Sequence, residues 1–248
     1  MTLPDQSDLE DGVKTRLTSR KAMPSRSIKS LVKPRKCYIT DTLCLTARAQ
    51  ENVSVFVKGL EDVPTEKLEP LCIEHLKKEK DGLIFEALAV RNEGFKDLVI
   101  DELRIDMASN VMRLVFHSDF KLKGQYKMDG LLFKMPISGE GDMEITMNNT
   151  NIVMVMPFEI YLDSLNRSFM DLKNFTYNFD VKDSANFNFS NLFYGDQEKS
   201  DHIHTYFVEN WRLVIQVFGP MIFDDVNPKV FNALATFMRS KPLQDLQL

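Results

Sequence analysis

The most extended pattern in the chain is an alternation of apolar and polar residues between residues 112 and 147. From 112 to 128 the even positions are mostly apolar, and from 131 to 147 the odd positions are. A period of two predicts strands with one buried face. Asp129-Gly130, between the two runs, is typical of a two-residue hairpin turn. The pattern predicts one antiparallel hairpin with its tip at Asp129-Gly130.

This hairpin is too long to remain straight. At about 3.3 Å per residue, arms of about seventeen residues would each extend roughly 55 Å, nearly three times the usual strand. Gly124, Gly139 and Gly141 lie on the apolar face, where a missing side chain allows strands to coil or bulge. The sheet is therefore predicted to curve around something apolar.

Helical and strand-like segments lie on both sides of the hairpin. Apolar residues at helical spacing predict a helix after Cys44 that ends near Gly59 and Pro64. LEPLCIEHL is predicted to lead into the first strand. Five further strand-like runs are GLIFEALAV, LVIDELRIDM, IVMVMPFEIYL, NFTYNFDV and ANFNFSNLF.

The C-terminal part is predicted to be helical. From about residue 196 to residue 218 apolar residues cover most of the helix circumference, which indicates an enclosed helix. Gly219-Pro220 is predicted to kink or break it, and a second segment runs from Asp224 to Arg239. This long helix is the element that the curved sheet would enclose.

Composition agrees with a globular protein and adds one hint. The chain has 248 residues, of which 44% are hydrophobic, with 13 methionines and 18 phenylalanines. Met and Phe fill irregular or adaptable spaces, so a roomy interior and an ordinary Met-rich core both fit. The net charge of −5 offers no overall attraction to nucleic acid. No uninterrupted apolar run is long enough for a transmembrane helix.

Residues 1–36 differ from the rest of the chain. From Gly12 to Lys36 there are nine basic residues and no acidic one. Such a segment cannot bury enough apolar surface to fold, and it is predicted to be disordered. It has no apolar core of a signal peptide and no aromatic residue to stack on bases. A solvated arm, a segment upstream of the mature protein and an arm that binds anionic lipid all remain open.

The cysteines and the glycosylation sequons favour secretion, although no signal peptide is visible. Cys37 and Cys44 are seven residues apart and would suit a small disulfide, with Cys72 left free. Free thiols in the pair would instead indicate an intracellular protein. Five Asn-X-Ser/Thr sequons exceed the number expected by chance. They are Asn52, Asn148, Asn166, Asn174 and Asn188.

Enzymatic motifs are missing from the sequence. It contains no G-x-S-x-G, no H-E-x-x-H and no P-loop. His202 and His204 are two residues apart on a predicted helix, so they do not form a metal pair and are predicted to be solvated. We therefore expect neither an enzyme nor a cofactor.

The segment Asn191–Trp211, with NLF-x-GD followed by ENW on a helix, resembles the takeout and juvenile-hormone-binding-protein family of insects. The pair Cys37/Cys44, LEPL at Leu68–Leu71 and the glycine pattern of KGQYKMDGLLFKMPISGEGDMEI are also similar to that family. The resemblance covers residues 37–246. The hormone-binding branch has a second disulfide, and no cysteine follows Cys72 here, so the takeout-like branch fits better.

The resemblance implies an α+β fold in which a highly curved antiparallel sheet wraps a long C-terminal helix around a hydrophobic tunnel. It further implies a secreted, monomeric, non-enzymatic carrier of a terpenoid hormone, fatty acid or pheromone-like lipid, linked to circadian, feeding or chemosensory physiology. We expect a small hydrophobic ligand as the partner, without nucleic acid or membrane contact. The alternative is a lipid-transfer or regulatory protein that contacts membranes through the basic arm.

Candidate wall residues come from the first helix, the hairpin and the long helix. Each of them fits plain core as well as ligand contact, because inward-facing apolar residues look alike in sequence. The candidates are Val53, Phe56, Val57, Phe116, Phe120, Met135, Ile137, Phe207 and Trp211. Tyr126 and Tyr177 are weaker candidates that would supply a hydroxyl to a ligand head.

Overall fold

The structure is a computed structural model that describes residues 36–246. The predicted basic segment, residues 1–36, lies outside the described residues except for Lys36. The α-helices are α1 (Thr42–Phe56), α2 (Gln197–Glu209), α3 (Trp211–Ser240) and α4 (Leu243–Leu246). The strands are β1 (Leu71–Lys80), β2 (Leu83–Glu93), β3 (Val99–Asp106), β4 (Val111–Leu132), β5 (Met135–Leu162), β6 (Ser168–Leu172) and β7 (Thr176–Phe189).

All seven strands form one antiparallel sheet, whose main order is β1-β2-β4-β5-β6. The strand β3 pairs with β4 beyond the end of β2, and β7 pairs with the middle of β5. The helix α3 packs against β1, β6 and β7, while α1 covers β3. The predicted α+β fold, with a curved sheet around a C-terminal helix, is confirmed.

The long hairpin is present, but its predicted tip is wrong. β4 has 22 residues and β5 has 28, and the turn between them is Phe133-Lys134. Both turn residues have positive φ, 51° and 67°, as a two-residue turn requires. Gly130 lies inside the ladder, opposite Ile137. Leu131 is consequently exposed rather than inward-facing.

A different Asp-Gly pair makes a tight turn. Asp81-Gly82, with φ values of 52° and 84°, joins β1 to β2. The N–H of Leu131 donates to the carbonyl of Gly82 at 3.0 Å. A Cβ on Gly130 would lie 2.0 Å from that same carbonyl oxygen. Gly130 therefore permits a close approach of two strands and does not form the hairpin tip.

The strand β5 includes a segment that the sequence analysis predicts as a separate strand. IVMVMPFEIYL is the second half of β5, after a register shift beside Asn149, which has φ of 52°. This shift moves the buried positions from odd to even numbers, from Met147 to Thr150. NFTYNFDV and ANFNFSNLF are likewise one strand, β7. The sheet therefore has fewer and longer strands than predicted.

All three predicted glycines lie where neighbouring backbone approaches closely, and a Cβ on Gly139 would lie 2.9 Å from the carbonyl oxygen of Asn191. A Cβ on Gly124 would lie 2.9 Å from the carbonyl oxygen of Leu88, beside the bulge in β2. A Cβ on Gly141 would lie 2.5 Å from Oγ of Ser190. These glycines let neighbouring backbone approach, as strand bulges and bends require.

The N-terminal helix is held at its start by two devices. The side chain of Asp41 accepts the N–H of Cys44 at 3.0 Å and caps α1. A disulfide joins Cys37 to Cys44, whose Cα atoms are 5.7 Å apart. Further along, the hydroxyl of Thr46 accepts the N–H of Leu103, which ties α1 to β3.

The predicted break in the C-terminal helix is in the wrong place. The chain turns at Asn210, between α2 and α3, while Gly219 and Pro220 lie inside the 30-residue helix α3. Gly219 is needed for packing, because a Cβ there would lie 2.4 Å from Cζ of Phe179. None of the helices in residues 36–246 is long and apolar enough to cross a membrane.

Candidate ligand-binding interior

The apolar interior lies between the concave face of the sheet and the helices α1, α2 and α3. Alternate residues of β2, β4, β5 and β7 point into it, since each strand has one buried face. The helix α3 has buried residues along its whole length, from Val214 to Met238. This interior is the place where the sequence predicts a ligand.

Six aromatic residues fill the part of the interior nearest α2. Phe218 of α3 contacts Phe85, Phe187 and Phe189, with ring centroids 5.3, 5.8 and 5.9 Å away. Phe207 of α2 lies 5.7 and 5.9 Å from Phe187 and Phe189. We call this cluster the aromatic end, and it comprises Phe85, Tyr126, Phe187, Phe189, Phe207 and Phe218.

Tyr126 carries the polar atom of the aromatic end, and that atom is satisfied. Its ring lies 4.8 Å from Phe189, and its hydroxyl donates to the carbonyl of Ser190 at 2.6 Å. Burial raises the pKa of the Tyr126 phenol, with the nearby Tyr194 as a smaller cause. The aromatic end is thus closely packed and its phenol is paired.

The middle of the interior is built on Phe120 and Phe223. Phe223 of α3 lies 6.3 Å from Phe120 of β4 and 4.6 Å from Phe179 of β7. Phe95 lies 5.0 Å from Phe120 on the other side. These rings connect the sheet to the helix about one turn beyond the aromatic end.

Two buried asparagines lie beside this aromatic contact. Asn92 of β2 pairs in the ladder with Leu122, two residues from Phe120, and Asn227 lies one helical turn beyond Phe223. Both are 0% exposed. Neither amide, nitrogen or oxygen, has a hydrogen-bond partner. Because buried polar groups are normally hydrogen-bonded, these amides indicate a missing partner.

The other buried polar groups of the described residues have partners. Ser118 donates to the carbonyl of Gly94 at 2.7 Å, and Thr150 donates to the carbonyl of Met147 at 3.2 Å. Oδ2 of Asp225 makes no hydrogen bond of good geometry, yet it lies 2.7 Å from the ammonium group of Lys78. That ion pair neutralises the carboxylate, so the asparagine amides are the unpaired groups of the middle.

The third part of the interior is closed by α1. Val53 and Val57 are buried there, and Phe56 is half-buried with its ring 5.9 Å from Phe237 of α3. The interior therefore runs along α3 from the aromatic end, past the asparagines, to α1.

The predicted wall residues are distributed over all three parts. Val53, Phe56 and Val57 lie together at α1, and Phe120 lies in the middle. Phe207 belongs to the aromatic end. Phe116 is also buried on β4, four residues before Phe120.

The remaining three predicted wall residues lie near the turn of the hairpin or the start of α3. Ile137 is buried, while Met135 is half-buried beside Phe133-Lys134. Trp211 is half-buried at the first position of α3, with the guanidinium of Arg212 4.2 Å from its ring. The nine residues line one long interior and do not converge on a single point.

The weaker candidates, Tyr126 and Tyr177, both have protein partners for their hydroxyls. Tyr177 donates to Asp224 on α3. Burial is the largest cause that raises its pKa, followed by the hydrogen bond to Asp224. A ligand would have to displace these partners in order to use either hydroxyl.

Sequence reasoning missed Asn92 and Asn227. Asn227 lies next to Val226 and three residues before Val230, both in the predicted apolar face, so its position was an available signal. Asn92 had none, because strict alternation from Phe85 and Ala87 places it outside. The bulge between Leu88 and Arg91 turns it inwards.

The prediction of two solvated histidines is half wrong. His202 is exposed, but His204 is half-buried. Its Nε2 accepts the N–H of Phe189 at 3.3 Å, and its Nδ1 lies 2.9 Å from the carbonyl of Ser200. The imidazole of His204 therefore holds the end of β7 against α2.

Surface features suggest no competing site. Two open grooves are bounded by described residues, and neither contains a predicted wall residue. The larger, of about 480 Å³, is lined by polar side chains that include Asp97, Asp119 and Asp183. Among residues 36–246, no three His, Cys, Asp or Glu side chains are arranged to hold a metal ion.

Comparison with known proteins agrees with this fold and interior. The model of a family described as haemolymph juvenile hormone binding protein matches residues 20–248. The chain belongs to this family. Its fold also matches the crystal structure of Takeout 1 from Epiphyas postvittana, with a TM-score of 0.82 and 31% identity. That match covers 86% of this chain and 98% of Takeout 1.

Two curated proteins are also similar to this chain, at a lower sequence identity than Takeout 1. The circadian clock-controlled protein daywake of Drosophila melanogaster is 22% identical over 219 residues, 81% of this chain and 78% of daywake. The daywake of Drosophila yakuba is 22% identical over 224 residues, 83% of this chain and 80% of that protein. The takeout-like resemblance of the sequence is confirmed.

Proposed function

We propose that this member of the juvenile hormone binding protein family is a non-enzymatic carrier of a small hydrophobic ligand. The ligand lies in the interior between the concave face of the sheet and α3. The single observation that carries the proposal is this continuous apolar interior in a chain that belongs to a family named for ligand binding. Residues 37–246 form the binding domain, and residues 1–36 are a separate segment.

Physical considerations support binding of this kind. Each methylene group that leaves water for an apolar interior contributes about 0.8 kcal/mol, before the costs of association. Methionines are numerous in the interior, with Met128, Met143, Met147, Met154 and Met156 buried along β4 and β5. Their unbranched side chains adapt to different shapes, which suits an interior that opens for a ligand. A terpenoid, a fatty acid and a pheromone-like lipid are the candidate ligands.

The carrier is proposed to act outside cells. The family is named for haemolymph, and a disulfide of the Cys37–Cys44 kind persists in oxidising compartments. Of the five sequons, Asn52, Asn166, Asn174 and Asn188 are exposed and accessible to a glycosylating enzyme. A link to circadian physiology is proposed from the clock-controlled daywake relatives.

The ligand is tested by extraction from protein purified from its natural source, followed by lipid mass spectrometry. We expect a stoichiometric small apolar compound. Delipidated protein is then titrated with a hydrophobic fluorescent probe, and micromolar or tighter binding is expected. A protein that yields no lipid and leaves the probe in water contradicts the carrier function. A non-reducing peptide map with free Cys37 and Cys44 contradicts secretion.

Membrane contact is the second candidate, and one hairpin favours it. The turn between β5 and β6 exposes Leu162 and Leu165 by 60% and 71%, beside the partly exposed Tyr161. Large apolar side chains grouped at a protruding turn suit insertion into a bilayer. Asn166 lies in the same turn, so a glycan there would oppose contact and favour the free carrier.

This hairpin lies near the start of the described chain. Ser168 pairs with Leu162 across the hairpin, and the side chain of Gln244 accepts the N–H of Ser168 at 3.2 Å. The ammonium group of Lys36 donates to the carbonyl of the same Gln244. The positive charge of Lys36 therefore lies close to this hairpin, a combination that suits anionic lipid.

Vesicle flotation separates this candidate from the free carrier. Vesicles that contain phosphatidylserine are mixed with the full chain, with a variant that lacks residues 1–35 and with L162S/L165S. Membrane contact predicts that both changes weaken binding and that the contribution of the arm falls with added salt. Unchanged flotation of both variants, or no flotation of the full chain, contradicts it.

A further inference from the structure

The two buried asparagines define a polar position inside the apolar interior. Asn92 approaches from the sheet and Asn227 from the helix, both next to the contact of Phe120 with Phe223. Each amide offers two N–H donors and one carbonyl acceptor. All these groups are buried without a partner, which costs about 1–3 kcal/mol for each unsatisfied group. Two such groups in one core require an explanation.

We propose that Asn92 and Asn227 form the subsite that holds the polar head of the ligand. The inference rests on the carrier function proposed above and names the chemical class of its ligand. That class is an apolar molecule with an uncharged hydrogen-bonding group, such as an alcohol, an ester, an epoxide or a ketone. A hydrogen bond to this group satisfies the amides that are unpaired in the structure.

The charges around the interior argue for an uncharged head. The buried polar residues of the described chain are Asn92, Ser118, Thr150 and Asn227, none of which carries a charge. The cation near this part of α3, Lys78, is already paired with Asp225 at 2.7 Å. An ionised carboxylate would therefore lose its hydration without gaining a counter-ion, which is a large cost in an apolar interior. An uncharged head avoids that cost.

The apolar surroundings explain how the subsite selects its ligand. Phe120 and Phe223 contact each other beside the asparagines, Phe95 packs on Phe120, and none of these rings offers a hydrogen bond to a polar head. A ligand without a polar group leaves both amides unpaired, and so it binds without relieving their cost. A ligand with a hydroxyl or carbonyl at the right depth relieves it. The asparagines thus set both the depth and the chemistry of the ligand.

The test compares two compounds that have the same number of heavy atoms, dodecanol and tridecane. Each displaces a hydrophobic fluorescent probe from delipidated full-length protein, either wild type or with N92L, N227L or both. The free energy of transferring each compound out of water is the same for every variant. The change in the ratio of the two affinities therefore isolates the contact between the hydroxyl and the amides.

We expect the preference for dodecanol over tridecane to fall about five- to tenfold in N92L/N227L, as the loss of a hydrogen bond implies. Tridecane is expected to bind the variants as well as the wild type or better. Dodecanoate, ionised at neutral pH, is expected to bind more weakly than dodecanol and to be insensitive to the substitutions. Phe120→Leu is the matched apolar control, and it should change the affinities for dodecanol and tridecane by the same factor.

Each outcome has a distinct meaning. If the wild type binds neither dodecanol nor tridecane, the carrier function itself is wrong. If both compounds bind and the ratio of their affinities is the same in all variants, the carrier function stands and the polar subsite is wrong. Stronger binding of dodecanoate than of dodecanol also overturns the proposal. Should the leucine variants not fold, N92A and N227A only remove atoms and are measured in the same way.

Discussion

The aromatic end and the middle of the interior are neighbours along α3, yet they differ in how their polar groups are treated. In the aromatic end the phenol of Tyr126 has a partner 2.6 Å away, although its own ring is one of a cluster of six aromatic rings. In the middle, where Asn227 lies about two and a half helical turns beyond Phe218, the amides of Asn92 and Asn227 have none. Since both regions are buried, exposure does not explain the difference.

The comparison indicates a division of labour inside one core. Closely packed rings with paired polar groups stabilise a fold, because every buried contact is made in the protein alone. Unpaired buried amides destabilise a fold, and a ligand that pairs with them would remove that cost. The aromatic end therefore holds the sheet to α3, and the middle is where we propose that the ligand head binds.

The largest expected effect is in the aromatic end. Phe218→Ala removes a ring that contacts Phe85, Phe187 and Phe189, and it should lower the free energy of unfolding by about 3–5 kcal/mol. Urea denaturation measures this loss. The half-buried Phe231 of the same helix is the control, and Phe231→Ala should cost distinctly less because its ring is already partly in solvent.

The same variant tests the separation of the two regions. The ratio of the affinities for dodecanol and tridecane should be unchanged in Phe218→Ala, whose ring does not lie beside the asparagines. A shift as large as that of the asparagine variants would show that the two regions act as one.

The boundary between the regions gives the next largest effect. Gly219 lies against the ring of Phe179, where a Cβ would be 2.4 Å from Cζ. Alanine improves helix propensity by up to about 1 kcal/mol, but overpacking of this kind costs about 1–3 kcal/mol. We therefore expect Gly219→Ala to lower the free energy of unfolding by about 1 kcal/mol net, measured by urea denaturation.

A double-mutant cycle decides whether the steric contact is the cause. In a Phe179→Leu background, where the smaller side chain leaves room, Gly219→Ala should be neutral or stabilising. An equal loss of stability in both backgrounds would place the strain elsewhere along α3.

The fold was predictable from the sequence because its patterns are long. Alternation over more than thirty residues specifies a hairpin whatever its turn, and helical spacing specifies α1 and the C-terminal helix. The errors are all local. The turn moved from Asp129-Gly130 to Phe133-Lys134, and the helix break moved from Gly219-Pro220 to Asn210. Tertiary contacts override turn propensity at such positions, since Gly130 is needed for the approach of Gly82.

The candidate site was predictable only in its apolar part. Alternation identifies residues that point inwards, such as Phe116 and Phe120, but it cannot distinguish core from ligand contact. Asn92 points inwards only because a bulge shifts the register of β2, and bulges have no reliable pattern in a single sequence. Whether an inward asparagine has a partner depends on atoms from distant elements.

An effect of similar size and opposite sign is expected in the middle. Asn227→Leu and Asn92→Leu replace an unpaired buried amide by an apolar group of similar shape. Each should raise the free energy of unfolding of the delipidated protein by about 1 kcal/mol. Urea denaturation measures the change, and the exposed Asn178 of β7 serves as a control in which leucine should change little. A loss of stability in both buried variants would mean that the amides have partners, such as ordered water, without any ligand.

The last effect, which is about as large, concerns the phenol of the aromatic end and depends on pH. Tyr126→Phe removes the hydrogen bond to Ser190 and should cost about 1 kcal/mol near neutral pH. Burial raises the pKa of Tyr126 in the folded protein, whereas in the unfolded chain the pKa is about 10. The stability that this phenol contributes is therefore fully present below about pH 10 and is lost as pH rises towards the higher folded value.

The urea midpoints of wild type and Tyr126→Phe should accordingly converge as the pH is raised from about 8 to about 10.5, because only the wild type loses this contribution. Tyr177, whose pKa is also raised, is present in both proteins, so its own contribution cancels in the difference. A difference that stays constant with pH would show that Tyr126 is not buried as a paired phenol. In that case the aromatic end, like the middle, would contain a polar group without a secure partner, and the contrast between the two regions would fail.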